Sequence, residues 1–231
     1  MKDAIELVKM FPPYVNEILN KFENAGFEIY IVGGVVRDLL MNRESYDWDF
    51  TTNAIPEEIL KLFPNGFYDN KFGTVGIPDT SHEHPYEITT FRTECGYSDK
   101  RHPNKVEWGK SLEEDLSRRD FTINAFALDS RGKIIDPFEG QRDLENKKVR
   151  AVRDPLERFD EDALRMMRGV RIAAELGFKI EEKTLEAIKI HATAITQVAS
   201  ERIRDEFFKL LKSENADVGI LLLKETNLLI E

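Results

Sequence analysis

The sequence predicts an α/β head domain that is followed by an all-helical region. The apolar run 29–32 has the length of a buried strand, and a short helical segment follows it directly. Further strand-like runs alternate with helical segments through the first half of the chain. From Pro155 onward, the apolar residues recur only at helical spacing. We therefore predict a head at residues 1–150 and a helical domain at residues 151–231.

Local signals along the chain place the elements of the head. Pro12-Pro13 interrupts an amphipathic helical region at the N-terminus, and Pro56 suits the first position of a helix. The polar residues 93–110 predict a long irregular loop. Predicted helices cover about residues 1–26, 35–41 and 56–63, and predicted strands cover about residues 28–32, 48–51, 72–78, 85–91, 126–129 and 133–135.

The helical domain ends in an unusually apolar stretch. Leu221-Leu222-Leu223 and Leu228-Leu229-Ile230 need a partner surface. Packing back on the helical domain, dimerisation and continuation into a longer protein all remain open, and the oligomeric state is not predicted. Predicted helices of this domain cover about residues 160–176, 181–191, 200–212 and 215–224.

Composition limits the classes of protein that the chain can belong to. The 231 residues are 41% apolar, which is enough for a substantial core, and no apolar run is long enough for a membrane helix. The N-terminus is unlike a signal peptide, and Cys95 is the sole cysteine, so a cytoplasmic protein is expected. A net charge of −10 argues against nucleic-acid binding through overall charge. Six arginines between Arg150 and Arg171 leave room for a local basic surface.

Asp47-Trp48-Asp49 is the first candidate for chemistry. Side chains alternate along a strand, so the two carboxylates share one face about 6–7 Å apart, while Trp48 points into the core. Two such carboxylates suit Mg²⁺. A solvated strand end is the alternative, and sugar-nucleotide transferases also use an Asp-x-Asp motif. Gly33-Gly34 lies between the first strand and a helix, where backbone N–H groups can hold phosphate, which favours nucleotide chemistry.

Three further segments are weaker candidates. Glu87 lies on a predicted strand and is either a third carboxylate beside the aspartates or an exposed strand residue. Arg118-Arg119-Asp120 could contact phosphate and ribose, although paired arginines are usually solvated. His82-Glu83-His84 lacks a third ligand, which argues against zinc.

A predicted helix interleaves acidic and basic residues from Glu161 to Arg171. Asp162 and Arg165 are i, i+3 neighbours on one face, and Arg168 continues that ridge, whereas Arg171 has rotated away from it. Ion pairing within the helix is the alternative to a ligand-binding role.

Taken together, these motifs resemble the class II (bacterial-type) tRNA nucleotidyltransferases, the CCA-adding enzymes, and their poly(A) polymerase relatives. The matching segments occur in the family's order and cover nearly the whole chain. They are 31–40, 47–51, 87–92, Arg101-His102-Pro103, 114–125, 136–140, 161–165 and 200–203.

The resemblance implies a polymerase-β-like head with a mixed sheet and a helical neck. It assigns catalysis to Asp47, Asp49 and Glu87, with Asp47 and Asp49 as metal ligands and Mg²⁺ as the cofactor. It implies that nine residues bind the nucleotide. They are Gly33, Gly34, Arg37, Arg119, Asp120, Asp162, Arg165, Arg168 and Arg171.

The activity implied is the addition of CMP and AMP to the 3′ end of tRNA from CTP and ATP, without a nucleic-acid template. A carboxylate accepts from the exocyclic amine of cytosine or adenine, and a guanidinium donates to the neighbouring ring acceptor. An intact 93–110 segment favours CCA addition over CC addition. An A-adding or CC-adding relative and a poly(A) polymerase remain open. A nucleotide-binding fragment that is inactive on tRNA also remains open, because family members continue past this length.

Overall fold

The structure is a computed structural model, and it describes residues 3–45, 47–68, 73–78, 85–95, 105–108 and 111–229. The described part of the chain forms two compact units. The first contains the residues up to Glu94, together with Val106–Arg119 and Asn124–Pro137. The second is formed mainly by Asp120–Ile123 and Phe138–Glu231. The boundary expected at residue 150 stays a prediction.

A seven-stranded mixed sheet organises the first unit. Its strand order is β3-β4-β5-β2-β1-β8-β9, and β2 and β5 pair in parallel while the other neighbours are antiparallel. The strands are β1 (Ile29–Val32), β2 (Asp49–Thr52), β3 (Phe67–Tyr68), β4 (Thr74–Ile77), β5 (Tyr86–Thr90), β8 (Ala127–Leu128) and β9 (Ile134–Ile135). The predicted mixed α/β head is confirmed.

Five helices accompany this sheet, and proline and glycine define their ends. Pro12 and Pro13 divide the predicted first helix into two, and Pro56 opens α4 as expected. Gly33 precedes α3 with a φ of 82°, a conformation that favours glycine. The helices are α1 (Ala4–Val8), α2 (Pro13–Asn24), α3 (Gly34–Leu40), α4 (Pro56–Leu62) and α5 (Leu112–Ser117).

The core of the first unit lies between α2 and the sheet. The α2 face formed by Val15, Ile18 and Phe22 is buried and belongs to the same apolar cluster as Phe50 of β2. Trp48 joins this cluster, with its ring 6.1 Å from that of Phe11 in an edge-to-face arrangement. Burial of these aromatic rings fixes the start of β2 against the core.

The predicted irregular loop at residues 93–110 is wrong where the structure describes it. β6 (Arg92–Cys95) and β7 (Lys105–Trp108) pair as a two-stranded sheet. Their alternating but polar sequences lacked the apolar content that the prediction relied on. The segment Arg101-His102-Pro103 lies outside the described residues, as does His82-Glu83-His84.

Helices form most of the second unit. They are α6 (Gly140–Glu145), α7 (Pro155–Glu161), α8 (Leu164–Leu176), α9 (Glu182–His191), α10 (Ser200–Leu211) and α11 (Ala216–Glu225). α8 packs against both α10 and α11, and α7 packs against α9. The expectation of helices alone after Pro155 is wrong in one place, because β11 (Lys179–Ile180) pairs in parallel with β10 (Lys148–Val149).

The continuous helix predicted from residue 160 is also wrong. The chain leaves the helical conformation at Asp162, whose φ of −144° and ψ of 103° are extended, and α8 begins two residues later. The Asp162 carboxylate accepts from the N–H of Leu164 at 3.1 Å, and so satisfies a donor at the start of α8. The spacing argument that placed Asp162 and Arg165 on one helix face therefore fails.

The apolar C-terminal stretch divides between buried and exposed side chains. Leu223 and Leu228 are buried, as expected if the stretch packs back on its own unit, whereas Leu221 and Leu229 are exposed. Ile230 lies outside the described residues. None of the described helices has the length and apolarity that crossing a bilayer requires.

We predict that replacing Phe50 with alanine destabilises the first unit by about 3–5 kcal/mol, because the ring is 1% exposed and its loss leaves a cavity under the sheet. Phe67→Ala is the matched control, since this ring on β3 is 44% exposed and its loss should cost about 1 kcal/mol or less. Urea denaturation of both variants measures the difference. Equal losses would contradict the placement of the core.

Candidate active site

The carboxylates predicted to act together lie on two neighbouring strands. The parallel pairing of β2 and β5 makes Asp49 and Glu87 direct partners in register. The expectation that both aspartates lie on the strand is wrong for Asp47, which is exposed and precedes β2, whereas Asp49 is the first residue of β2. Trp48 and Phe50 are buried, and the alternation along 47–50 leaves both aspartates on the opposite face.

Charge repulsion is concentrated on Asp49. Burial raises the pKa of its carboxyl to about 7, and the negative charges of Asp47 and Glu87 act in the same direction, while Arg119 opposes them. A carboxylate held near other carboxylates in this way is stabilised in its ionised form by a cation. The cluster therefore has the electrostatic character of a cation site.

The donor set fits a hard divalent ion that keeps part of its own shell. Among the residues that the structure describes, no group of three or more His, Cys, Asp or Glu side chains converges to hold a metal. Asp47 and Asp49 would supply two carboxylates, which are the hard oxygen ligands that such an ion prefers. Mg²⁺ sites that bind phosphate typically have this composition.

A glycine pair lies beside the carboxylates. A β-carbon placed on Gly33 would lie 3.6 Å from Oδ2 of Asp49 and 3.4 Å from Nη1 of Arg119. One on Gly34 would lie 3.3 Å from Nη2 of Arg37. The absence of side chains here leaves the backbone accessible next to two guanidinium groups and an acid, as a phosphate-binding segment requires.

Arg37 is held by two partners. Its Nε and Nη2 donate to the two oxygens of Asp38 at 2.9 and 3.0 Å, and its Nη1 donates to Oδ1 of Asn124 at 2.8 Å. Such a fork fixes the plane of the guanidinium group. Asp38 and Asn124 were not predicted as site residues, although both belong to motifs that carried the family resemblance.

The consecutive residues Arg119 and Asp120 belong to different units. In the second unit, Oδ2 of Asp120 accepts from Nε and Nη2 of Arg168 at 2.8 and 2.6 Å, and Oδ1 accepts from the N–H of Phe121. Burial alone would raise the pKa of the Asp120 carboxyl, but Arg168 lowers it to about 2. The structure thus joins Asp120 and Arg168, which the sequence had suggested only as separate nucleotide ligands.

The two residues predicted to read the base each have their own ionic partner. Nη2 of Arg202 donates to Asp162 at 2.9 Å. Nη1 of Arg165 donates to Glu161 at 2.7 Å and to the carbonyl oxygen of Arg158 at 3.1 Å. An ion pair, the kind of interaction weighed against ligand binding, is therefore present at Arg165, but it joins the end of α7 to α8 rather than two turns of one helix.

Arg171 is also paired. Its Nε donates to Glu206 and its Nη1 to Glu175, both at 2.6 Å. Glu206 is buried at 5% exposure, and although burial raises the pKa of its carboxyl, Arg171 and Arg168 hold it below the ordinary value. Arg171 therefore ties α8 to α10, and sequence reasoning missed Glu206 because its position in an exposed-looking helix gave no signal.

This geometry defines the class of protein. A mixed sheet that presents Asp49 and Glu87 on adjacent strands, beside Asp47 and a glycine pair, is a nucleotidyltransferase head. A family model described as the poly A polymerase head domain matches residues 29–150, and one described as a probable RNA- and SrmB-binding site of polymerase A matches residues 177–230. The chain belongs to the poly A polymerase head-domain family, whose nucleotidyltransferases are generally metal-dependent.

Curated relatives match nearly all of the chain. It is 50% identical to the CCA-adding enzyme of Ligilactobacillus salivarius over 212 residues, which are 91% of the chain and 52% of that enzyme. It is 49% identical to the CCA-adding enzyme of Enterococcus faecalis, covering 90% of the chain and 51% of the relative. The chain thus spans about half the length of the curated relatives that it matches.

Solved structures agree with the fold. The Bacillus stearothermophilus CCA-adding enzyme in complex with CTP matches 95% of the chain and 53% of its own, with 41% identity and a TM-score of 0.85. The Thermotoga maritima CCA-adding enzyme complexed with tRNA matches 98% and 54%, with 25% identity and a TM-score of 0.80. The predicted polymerase-β-like head with a helical neck is confirmed.

The Asp120–Arg168 pair makes stability depend on pH. Because the pKa of folded Asp120 lies near 2, below its ordinary value of 3.8, its ionised form stabilises the fold above pH 4. This contribution, about 2–3 kcal/mol, is lost as the pH falls towards 2. Asp120→Asn should therefore be less stable than the unchanged chain at pH 7, by a margin that narrows as the pH falls from about 4 to about 2.

Urea titrations over this pH range measure the margin. Asp205→Asn is the matched control, because Asp205 pairs with Arg204 on the surface, where the two side chains are 60% and 58% exposed. A margin for Asp120→Asn that stays constant with pH would contradict the ionised buried pair.

Proposed function

We propose that this chain carries the catalytic head and nucleotide-selecting neck of a CCA-adding tRNA nucleotidyltransferase. It would transfer CMP and AMP from CTP and ATP to the 3′ end of tRNA and release pyrophosphate, without a nucleic-acid template. The observation that carries this proposal is the Asp49–Glu87 register beside Asp47 and the glycine pair. The cytoplasm, where tRNA is processed, is the proposed location.

Asp47 and Asp49 would hold the metal, for which we propose Mg²⁺. The ion supplies Lewis-acid chemistry, which favours the ionised 3′-hydroxyl and stabilises charge on the leaving pyrophosphate. Glu87 would support the aspartates or accept the proton of the tRNA 3′-hydroxyl, since its side chain is exposed and the residue pairs in register with Asp49. Gly33 and Gly34 would let the triphosphate approach the backbone.

Arginines of the first unit would bind the triphosphate. The Arg37 guanidinium is already oriented by Asp38 and Asn124, so binding phosphate there loses little side-chain entropy. Arg119 lies next to Gly33 and Asp49, where it would offset the negative charge that a triphosphate brings. Both arginines would therefore position the nucleotide rather than react with it.

Asp162 and Arg165 would select the base. Asp162 would accept from the exocyclic amine of cytosine or adenine, and Arg165 would donate to the adjacent ring acceptor; uracil and guanine present the reverse pattern. In the described structure their charges are balanced by Arg202 and Glu161. Arg168 and Arg171, together with Asp120, would support helix α8 and the ribose of the nucleotide.

The relatives favour CCA addition over the narrower alternatives. All eight of the curated proteins compared in detail are named CCA-adding enzymes, so an A-adding or CC-adding enzyme or a poly(A) polymerase is less well supported. The second candidate is a nucleotide-binding part that does not process tRNA by itself. It is favoured by the half-length match to the relatives and by the net charge of −10.

Asp49→Asn tests the metal-dependent reaction. We expect it to lower CTP and ATP incorporation into a tRNA that lacks its 3′ CCA by roughly two orders of magnitude or more, because an amide is a weaker ligand for the cation that stabilises the negative charge of the transition state. Labelled nucleotides and Mg²⁺ in a gel assay measure incorporation.

Glu57→Gln is the control for loss of a carboxylate, since Glu57 is exposed in the first turn of α4 and should leave activity unchanged. Incorporation that survives Asp49→Asn would refute the proposed metal site. CTP binding without any incorporation by the unchanged chain would favour the second candidate.

Arg165→Ala tests base selection. We expect it to reduce the preference for CTP over UTP by about 1–3 kcal/mol, while binding of the triphosphate moiety changes much less. Competition assays with the two nucleotides measure the preference. Arg204→Ala, at a guanidinium that is 58% exposed, is the control. An equal loss for all four nucleotides would show that Arg165 only pairs with Glu161.

A further inference from the structure

A fully buried carboxylate lies at the convergence of three segments of the first unit. Asp115 of α5 is 0% exposed, and its Oδ1 accepts from Nε and Nη2 of Arg118 at 3.0 and 2.8 Å and from the N–H of Arg92 at 3.4 Å. Its Oδ2 lies 3.3 Å from the hydroxyl oxygen of Thr51, which is also 3.1 Å from the carbonyl oxygen of Thr89, and 3.6 Å from Nη2 of Arg119. Both oxygens are thus in contact with donors or cations.

The surroundings of Asp115 keep it ionised. Burial would raise the pKa of this carboxyl, but Arg118 and Arg119, with Arg92, hold it below its ordinary value. Arg118 alone makes two hydrogen bonds to one oxygen, which satisfies the pairing that a buried charge needs. Arg119 is a second cation, and its Nη2 lies near the other carboxylate oxygen of Asp115, Oδ2.

The Thr51 and Arg119 contacts connect this carboxylate to the candidate active site. Thr51 is two residues beyond Asp49 on β2, and the pleat directs both side chains to the same face. Arg119 directs Nη2 to Asp115. Its Nη1 lies 3.4 Å from the position that a β-carbon on Gly33 would take, and Oδ2 of Asp49 lies 3.6 Å from the same position. One carboxylate thus contacts both the strand of the metal ligand and the arginine beside it.

Arg119 has two acids within reach of its guanidinium group. If it paired fully with Asp49, it would occupy the oxygen that the proposed metal needs. Asp115 competes with Asp49 for the guanidinium group of Arg119. Because Asp115 is buried, water screens its attraction for that group only weakly. The guanidinium is thereby anchored to Asp115 through Nη2, while its Nη1 lies on the side of Gly33.

We propose that Asp115 is a positioning residue for the incoming nucleotide, acting through Arg119. It holds the guanidinium where it meets the triphosphate and keeps it from displacing the cation at Asp49. This rests on the proposed function, because it takes CTP as the ligand of the same site.

Calorimetric titration of the unchanged chain and of Asp115→Asn with CTP and Mg²⁺ is the direct test. The amide keeps the shape of the side chain and removes its charge. We expect the dissociation constant for CTP to rise about tenfold, and the Mg²⁺ concentration that supports half-maximal binding to rise as well. Glu113→Gln, at an exposed carboxylate on the same helix, should change neither.

A double-variant cycle separates positioning from general support of the fold. If Asp115 acts through Arg119, Asp115→Asn should add little to the loss already caused by Arg119→Gln. Additive losses would overturn the proposal. Unchanged CTP and Mg²⁺ affinities in a folded Asp115→Asn variant would overturn it too.

Thr51→Val keeps the test decisive if Asp115→Asn does not fold. It removes the hydroxyl contact to Oδ2 with little change in volume, and we expect a smaller loss of CTP affinity, about threefold. No loss would count against the proposal. Binding of CTP by the unchanged chain without transfer to tRNA would refute the proposed function alone, whereas absence of CTP binding would overturn both.

Discussion

Crowding of negative charge at the start of β2 is the constraint on which the rest of the site depends. Parallel pairing with β5 sets Asp49 directly opposite Glu87, and Asp47 adds a third charge. Burial first, and then the charges of Asp47 and Glu87, raise the pKa of the Asp49 carboxyl to about 7, while Arg119 opposes this rise. The cation that we propose at Asp47 and Asp49 would offset this negative charge.

The arginines show a second consequence of the same constraint. In the described structure, every arginine that we assign to the nucleotide lies against an acid, as Arg37 does with Asp38 and Arg168 with Asp120. Free guanidinium groups would pair with the catalytic carboxylates or bind anions without selection. Pairing with an acid fixes the orientation of each guanidinium group, so these arginines are positioned before any ligand binds.

Sequence reasoning succeeded where the cause was local. Pro56 opened a helix, and Gly33 stood where φ is positive, because such preferences are set by the residue itself. The break at Asp162 was missed because apolar spacing continues across it, although its carboxylate accepts from the N–H of Leu164 at the start of the next helix. Asp115 was missed for a related reason. It follows two glutamates at the start of a helix, a pattern typical of a solvated helix terminus, and only the folded chain reveals its burial.

Division of the chain between Arg119 and Asp120 gives the two clusters separate internal support. Arg119 depends on Asp115 in the first unit, and Asp120 is bonded to Arg168 in the second. Asp115 bonds Arg118 and contacts Arg119, and Asp120 bonds Arg168, in each case within its own unit. Loss of charge in one cluster therefore leaves the hydrogen bonds of the other in place. If the proposed roles hold, substitutions in the first cluster should change triphosphate binding, and substitutions in the second should change base selection.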